Sequence, residues 1–374
     1  MIKAGMDVVR LNFSHGTHED HLKIYTIVRE ESEKAGKHVA IFQDLCGPKL
    51  RINTVVNGSI VLKDGESVDL AYEPKGSTVE GDEKRLNISI FNPGEVMKPG
   101  EPALLADGRV ELVAEKVNGD TVTCKVVAGG ALRSRVGIAV PQSNLVLPCL
   151  TEKDIKDLAW AVENKVDYVA LSFVGTTKDI TDIRHEMRKL GDRSIPVIAK
   201  IERASALDHI NDIVELADAA MVARGDLGLE LPIERVPSAQ RLIISSANFA
   251  GVPVITATQM LMSMVEQIRP TRAEVTDVST AVRDGTDAVM LSDETAIGKH
   301  PIEAVKVLSR ILLEAERESV LEYTRSGIKS RDRSKVADAV CYAACNAADK
   351  IAASAMIACT HSGYTARLMA KYRP

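Results

Sequence analysis

The chain has 374 residues, 45% of them hydrophobic and 26% charged, a globular composition that excludes a disordered tail, a collagen and a disulfide scaffold. Its 47 basic and 52 acidic residues give a net charge of −5 with no long basic stretch, and aromatics are only 3%, so neither a general nucleic-acid surface nor a base-stacking platform is indicated. The length suggests two or three domains with ample core.

From the N-terminus, IKAG at 2–5 reads as the end of a helix closed by Gly5. A β-branched run at 7–11 (DVVRL) follows, then a helical pattern at 18–35 and a second run at 38–42 (HVAIF). Residues 53–142 break this rhythm with alternating strand patterns and D-G and N-G turns, which predicts a small antiparallel β domain inserted in a surface loop. Apolar runs then recur at 167–171, 195–199, 218–222, 252–256 and 287–291. They alternate with helical stretches at 151–163, 177–190, 204–215, 236–249 and 271–283, and an amphipathic helix at 301–317 follows. Thr151 with Asp154 marks one helix start as a capping box.

Continuous apolar strands belong to parallel sheets covered on both faces. The alternation predicts an α/β fold, and a (β/α)₈ TIM barrel is favoured over an open doubly wound sheet. Seven strands are visible where the barrel uses eight, so the first strand is expected upstream of Met1, with the chain truncated at both ends. Residues 319–334 are polar and basic like a linker, and 335–374 read as an Ala-rich helix, a short strand AMIACT and a further helix. The expected division is a barrel at 1–52 and 143–318, the inserted β domain at 53–142, and a partial C-terminal α/β domain at 319–374.

Polar residues cluster just past the apolar runs: Arg10, Asn12 and Ser14; Asp44; Ser172; Lys200 and Glu202; Asp226; Thr258 and Gln259; Ser292 and Glu294. One such residue is usually a cap, but every run ending this way points to the rim of a barrel that carries active sites. Lys200 and Glu202 share a strand face; on their own they could be a plain ion pair. Gly225 and Gly228 flank Asp226 and allow close backbone approach to a ligand. Glu202 and Asp226 then supply two carboxylates, which suits Mg²⁺ completed by substrate oxygens and water, and Lys200 beside them would help neutralise a phosphoryl group.

The chain has no G-x-x-x-x-G-K-S/T loop, no G-x-G-x-x-G and no H-E-x-x-H. His15, His18 and His21 are expected to be solvated, and Met260, Met262 and Met264 to pack in the core. The six cysteines form no C-x-x-C pair and read as reduced thiols. No apolar run approaches the ~18 residues of a membrane span and no secretory pattern opens the chain, so a cytoplasmic location and no membrane partner are expected.

These segments resemble the pyruvate kinase family over nearly the whole chain. The residues that carry the resemblance are MDVVRLNFSHG (6–16), LTEKDIKDLAWAVENKVDYVALSFV (150–174), IAKIE (198–202), MVARGDLGLE (221–230), VITATQMLMSM (254–264), RPTRAEVTDV (269–278) and MLSDETAIGKHP (290–301). The resemblance implies a (β/α)₈ barrel with an inserted β-barrel lid and a C-terminal α/β domain. It implies transfer of the phosphoryl group of phosphoenolpyruvate to ADP, giving ATP and an enolpyruvate that is then protonated to pyruvate. Glu202 and Asp226 match the ligands of Mg²⁺ or Mn²⁺, and Lys200 matches the lysine that stabilises the phosphoryl group in flight. Arg10 and Arg51 match arginines near the transferred phosphate and the nucleotide; His15 lies on the nucleotide side, and Asp107 matches the lid aspartate. Thr258 matches the threonine beside the substrate carboxylate and methylene carbon, with the N–H groups of Gly225 and Asp226 on that carboxylate. Ser292 and Glu294 match a pair on the proton path. Asn12, Ser14, Asp44 and the carbonyl of Leu45 match the monovalent-cation site. A homotetramer is implied as well.

Lys49 and Leu45 depart from the potassium-dependent pattern and resemble the potassium-independent branch, since a tethered ammonium can replace the charge of K⁺. K⁺ is therefore not expected to be required. Val136, Ala139, Gly175 and Asp293 also depart from the family's usual residues. The alternatives are a metal-dependent pyruvate or oxaloacetate lyase on the same barrel, which would need neither Asp107, Arg10 nor Arg51, and an inactive fragment or binding module.

Overall fold

The computed structural model describes residues 1–374 except 142, 144, 146, 193, 323–334 and 362. Seven parallel strands form one sheet in chain order: Val8–Asn12, Ala40–Asp44, Tyr168–Leu171, Val197–Ile201, Ala219–Ala223, Val254–Ala257 and Ala288–Met290. Each falls within three residues of its predicted run. Helices His18–Ala35, Glu152–Asn164, Thr177–Lys189, Val236–Ala250 and Arg272–Asp284 intervene as the 3.6-residue patterns predict. The stretch at 204–215 is instead two helices, Ser205–Asp208 and Ile210–Leu216, broken at His209.

Capping explains several helix starts. Thr17, Thr151 and Thr271 each accept from the backbone N–H three residues on, while Asp20, Asp154 and Glu274 reach back to the capping residue's N–H. Each such cap contributes about 1 kcal/mol.

The alternation of side chains along the strands sorts the core into two layers. Val197, Ala199 and Ile201 face outward into the cluster that holds Leu158, Ile183, Ile213 and Ile243 of the helices. Ile198 faces inward with Phe42, Ala170, Ala219, Met221 and Ala257. The interior is a packed plug, so the polar groups that follow these positions stand at the strands' C-terminal rim.

The two outermost strands, Val8–Asn12 and Ala288–Met290, each pair on one side only among the described residues. Val8 is 44% exposed, and all three residues of Ala288–Met290 are half-buried where the central strands are fully covered. A 3₁₀ turn at Ile2–Ala4, closed by Gly5 at φ 116°, packs between helices Pro301–Glu322 and His18–Ala35 beside this seam.

Residues 52–140 enclose a separate core. Six strands pair in the order Ile138–Ala139, Pro102–Leu105, Val110–Asn118, Thr121–Ala128, Ser67–Tyr72 and Arg85–Ile88. All these pairings are antiparallel except Ser67–Tyr72 with Arg85–Ile88. Ser59–Leu62 pairs with Gly130–Arg133 alongside, and Leu70, Leu86, Leu112 and Leu132 are fully buried between these strands. The tip Ala106–Gly108 leans on the sheet domain, where a Cβ on Gly108 would meet Leu229 Cδ2 at 3.2 Å.

Toward the C-terminus, Lys335–Lys350 and Tyr364–Lys371 are helices, but the strand expected at AMIACT, 355–360, is absent. A strand needs a neighbour to take its backbone groups, and among the described residues this stretch has none; Ile357 is 90% exposed. Arg373 ties this segment to the barrel by donating to the carbonyls of Gly285 and Thr286 at the end of helix Arg272–Asp284. The linker expected at 319–334 begins as the last turn of helix Pro301–Glu322, and its remainder lies outside the described residues. No helix among the described residues is long and apolar enough to cross a membrane.

Candidate active site

Lys200 and Glu202 sit at the centre of the rim, 7% and 1% exposed. The Lys200 ammonium donates to Ser172 Oγ at 2.6 Å and lies 3.0 Å from both Asp44 Oδ1 and Glu202 Oε1. Burial alone would lower its pKa, but the Asp44 and Glu202 carboxylates outweigh that and hold it above the ordinary lysine value. Lys200 is therefore a fixed cation at neutral pH.

Asp44 is as buried as Lys200 and serves two cations. Arg10 Nε and Nη2 both reach Asp44 Oδ2 at 2.6 Å. Burial would raise the Asp44 carboxyl, yet Lys200 and Arg10 keep it below the usual carboxylate range. Glu202 goes the other way. Burial, with the carboxylates of Asp226 and Asp44 adding to it, raises Glu202 despite Lys200. Its second oxygen accepts the Phe173 N–H at 2.7 Å, which orients it.

Glu202 is buried and Asp226 is 33% exposed, and the negative charge of Asp226 and Asp44 disfavours ionisation of Glu202. Glu202 and Asp226 thus fit Mg²⁺ or Mn²⁺ with remaining positions left for water and substrate oxygens. No group of three His, Cys, Asp or Glu converges on a metal position among the described residues.

The other sequence-derived residues fall into three sets. Thr258 and Gly225 stand with the central group: Gly225 N–H donates to Thr258 Oγ1 at 2.9 Å, so that N–H is already engaged. Glu294 is buried and accepts the N–H groups of Ser292 and Leu261 at 2.8 and 3.0 Å, while Ser292 Oγ is buried without a partner. Asn12 Oδ1 accepts Ser14 N–H at 3.1 Å, and the Leu45 carbonyl accepts Ser172 Oγ at 2.7 Å. Lys49 does not reach Asp44; its ammonium lies 3.9 Å from Asp226 Oδ1. At the periphery, His15 is exposed, Arg51 donates to the Arg135 carbonyl at 2.9 Å, and Asp107 pairs with Arg109 at 3.8 Å. The structure does not bring these three against Lys200.

Four positions unlike the family's usual residues also find places. Val136 packs against the inserted core and Ala139 lies in the strand Ile138–Ala139. Gly175 donates its N–H to Asp179 at 2.9 Å. Asp293 begins the short helix Asp293–Ala296, where a carboxylate suits the positive end.

Two expectations are corrected. His21 is not solvated: it is 7% exposed, stacks on Phe13 at 4.0 Å and holds the His15 carbonyl at 2.9 Å through Nε2. Met262 is 43% exposed, whereas Met260 and Met264 are buried as expected. Burial lowers the His21 pKa below its ordinary 6.5, so the folded chain favours the neutral ring. Stability is then complete above about pH 6.5 and is lost as pH falls, because the unfolded chain takes up the proton first. We expect His21→Gln to destabilise less at about pH 5.5 than at about pH 7.5. Melting curves at both values check this, and an equal loss at both counts against it.

Sequence reasoning passed over several supports. Phe173 takes a left-handed φ of 58° to aim its N–H at Glu202, and Gly47 leaves it room, since a Cβ there would lie 2.9 Å from the Phe173 ring. Lys153 donates to the Phe13 carbonyl at 2.7 Å and to Asp157 at 2.5 Å, pinning the loop that carries Ser14 and His15 from below. The contacts to the Phe173 N–H and the Phe13 carbonyl involve backbone groups and have no residue-type signature.

Known proteins resemble this chain over its whole length or nearly so. The pyruvate kinase barrel domain matches residues 1–305, and the pyruvate kinase alpha/beta domain matches 338–374. The pyruvate kinase of Mycobacterium tuberculosis (strain ATCC 25618 / H37Rv) is 42% identical over 371 residues, 99% of this chain and 77% of that protein. The pyruvate kinase of Clostridium perfringens (strain 13 / Type A) is 40% identical over 375 residues, 100% of this chain and 78% of that protein. A crystal structure of a pyruvate kinase from Cryptosporidium parvum superposes with a TM-score of 0.93 at 36% identity, covering 100% of this chain and 77% of that one. The chain thus belongs to the pyruvate kinase family, and the buried Lys200–Glu202–Asp44 group lies in its barrel domain.

Proposed function

We propose that this phosphotransferase moves the phosphoryl group of phosphoenolpyruvate to ADP at the Lys200 centre and then protonates the enolpyruvate so formed. The observation that carries this reading is one buried ammonium held by three oxygens, with the Glu202 and Asp226 carboxylates beside it. A lyase would need the carboxylate pair but not the Arg10 guanidinium set beside the same Asp44.

Glu202 and Asp226 would hold Mg²⁺, which when bound supplies positive charge to the oxygens of the transferred group and of the enolate. Lys200 and Arg10 bind the phosphoryl oxygens, their positions set by Asp44 so that no reorganisation is needed during transfer. Asp226 and Gly225 orient the substrate carboxylate through backbone N–H groups, with Gly225 exchanging its bond to Thr258 for one to substrate. Thr258 stands beside the carbon to be protonated. The unpartnered Ser292 hydroxyl, anchored through Glu294, supports a place on the proton's route. Residues 53–142 act as a lid that carries Asp107, with Arg51 at its root and His15 on the nucleotide side, over the barrel of 1–52 and 143–318. Residues 319–374 form part of a C-terminal domain, and assembly into a homo-oligomer fits the family.

Lys49 takes the part of the monovalent cation. Its ammonium stands by Asp226 rather than among Asn12, Ser14 and Asp44, so it adds positive charge at the metal side of the site. The test is pyruvate formation from phosphoenolpyruvate, ADP and Mg²⁺ with and without K⁺. Turnover is expected in both buffers. Lys49→Glu is expected to lose about 10-fold or more without K⁺ and to regain part of it with K⁺. A parent chain that turns over only with K⁺ sinks the role given to Lys49; no turnover under any condition sinks the activity of this chain.

A further inference from the structure

The strand Val254–Ala257 runs into a turn whose backbone is costly. Thr258 has φ 71° and Gln259 φ 53°, left-handed values that a β-branched residue adopts only under constraint. Each such residue stores about 1–3 kcal/mol and persists where its surroundings over-determine it. Here the constraint has an identifiable source. Arg224, 12% exposed, donates through Nη2 to the Thr258 carbonyl at 2.7 Å and through Nε to the Ala257 carbonyl at 3.3 Å. Its Nη1 meets both oxygens of Asp277, at 2.8 and 2.7 Å, on helix Arg272–Asp284. One rigid guanidinium thus links two consecutive carbonyls of the turn to a carboxylate on a different element, a fork that lysine cannot reproduce. From the other side, Gly225 N–H donates to the Thr258 hydroxyl at 2.9 Å, a bond given up to substrate, so the guanidinium is the constraint that remains.

We infer that Arg224 and Asp277 are positioning residues that hold the Thr258–Gln259 turn in its left-handed form, so that the Thr258 hydroxyl is presented to the substrate's reactive carbon. This rests on the role given to Thr258 in the proposed reaction. Released from the clamp, the turn relaxes toward ordinary backbone angles and the hydroxyl swings away, while Lys200 on strand Val197–Ile201 and Glu202 just after it stay in place.

The experiment compares Arg224→Met, Arg224→Lys, Asp277→Asn and the double variant Arg224→Met with Gln259→Gly. It reads kcat and KM for both substrates and the exchange of pyruvate methyl hydrogens with deuterated water. Glycine adopts a positive φ without steric cost, so it lowers the energy the clamp must supply. Arg224→Met is expected to lower kcat and the exchange rate about 10²-fold, the scale of a small misplacement at a reacting centre, with KM for ADP little changed. Arg224→Lys does not restore the rate, and Asp277→Asn loses less than Arg224→Met. Adding Gln259→Gly to Arg224→Met is expected to recover about 10-fold, equivalent to about 1.4 kcal/mol. A merely structural arginine gives no such recovery. If Arg224→Met keeps the parent exchange rate while Thr258→Val loses it, the clamp is overturned and the reaction stands. If the loss in Arg224→Met is unrelieved by Gln259→Gly, the clamp is likewise overturned. If Thr258→Val keeps the parent exchange rate, the role of Thr258 falls and the clamp with it.

Discussion

Lys200→Met is expected to lower the rate of ATP formation by about 10³-fold or more, the largest effect of any single substitution in the molecule. The ammonium is buried among Ser172, Asp44 and Glu202 and is held protonated by the two carboxylates, so its charge acts on the transferred group through little intervening water. Methionine matches the length of the side chain and removes the charge. It also leaves Asp44 with Arg10 alone and Glu202 without a cation, and an uncompensated buried carboxylate destabilises by about 3–5 kcal/mol. Loss of activity must therefore be separated from loss of fold. Lys200→Arg supplies the comparison: it keeps a charge for Asp44 and Glu202 but places it differently, so it should melt near the parent and still lose most of its turnover. A folded Lys200→Met chain retaining more than about a tenth of parental turnover would show that the ammonium does not stabilise the transfer.

Glu202→Gln produces opposite effects on function and on stability. Burial and the neighbouring Asp226 and Asp44 carboxylates already disfavour the ionised side chain, so a neutral isostere relieves repulsion in the metal-free chain. The melting temperature without metal is expected to hold or rise. Divalent-metal binding, read by titration with Mn²⁺ in the absence of substrates, is expected to weaken about 100-fold or more, and turnover with it. Asp226→Asn should weaken binding in the same sense with a smaller gain in stability, because Asp226 is one-third exposed and faces Lys49 at 3.9 Å. Unchanged Mn²⁺ affinity in Glu202→Gln would remove this pair as the metal site. The pattern, a residue set that costs the empty fold something and is retained for its ligand, is common where activity needs a destabilised site.

The inward and outward faces of strands such as Val197–Ile201 were legible because their residues are consecutive and the periods are local: two along a strand, 3.6 along a helix. The capping box of Thr151 and Asp154 marks a helix start for the same reason. AMIACT shows the limit of such reasoning, since strand propensity without a partner strand leaves its backbone unpaired, and the segment takes no strand form.

The sequence by itself determined the alternation of strands and helices, the inserted β segment and the gathering of charged residues at strand ends, because each is written in residue type and spacing. Only the tertiary structure decided which of those charges meet. Lys200 and Asp44 are 156 positions apart and come within 3.0 Å because their strands enter one curled sheet at matching depth. It decided that Asp44 serves Arg10 and Lys200, that Lys49 stands by Asp226, and that His21 is buried against Phe13. It alone revealed the left-handed Thr258 and the guanidinium that holds it. Charge–charge distance, burial and backbone strain depend on where remote segments are brought together, and no local period in a sequence encodes them.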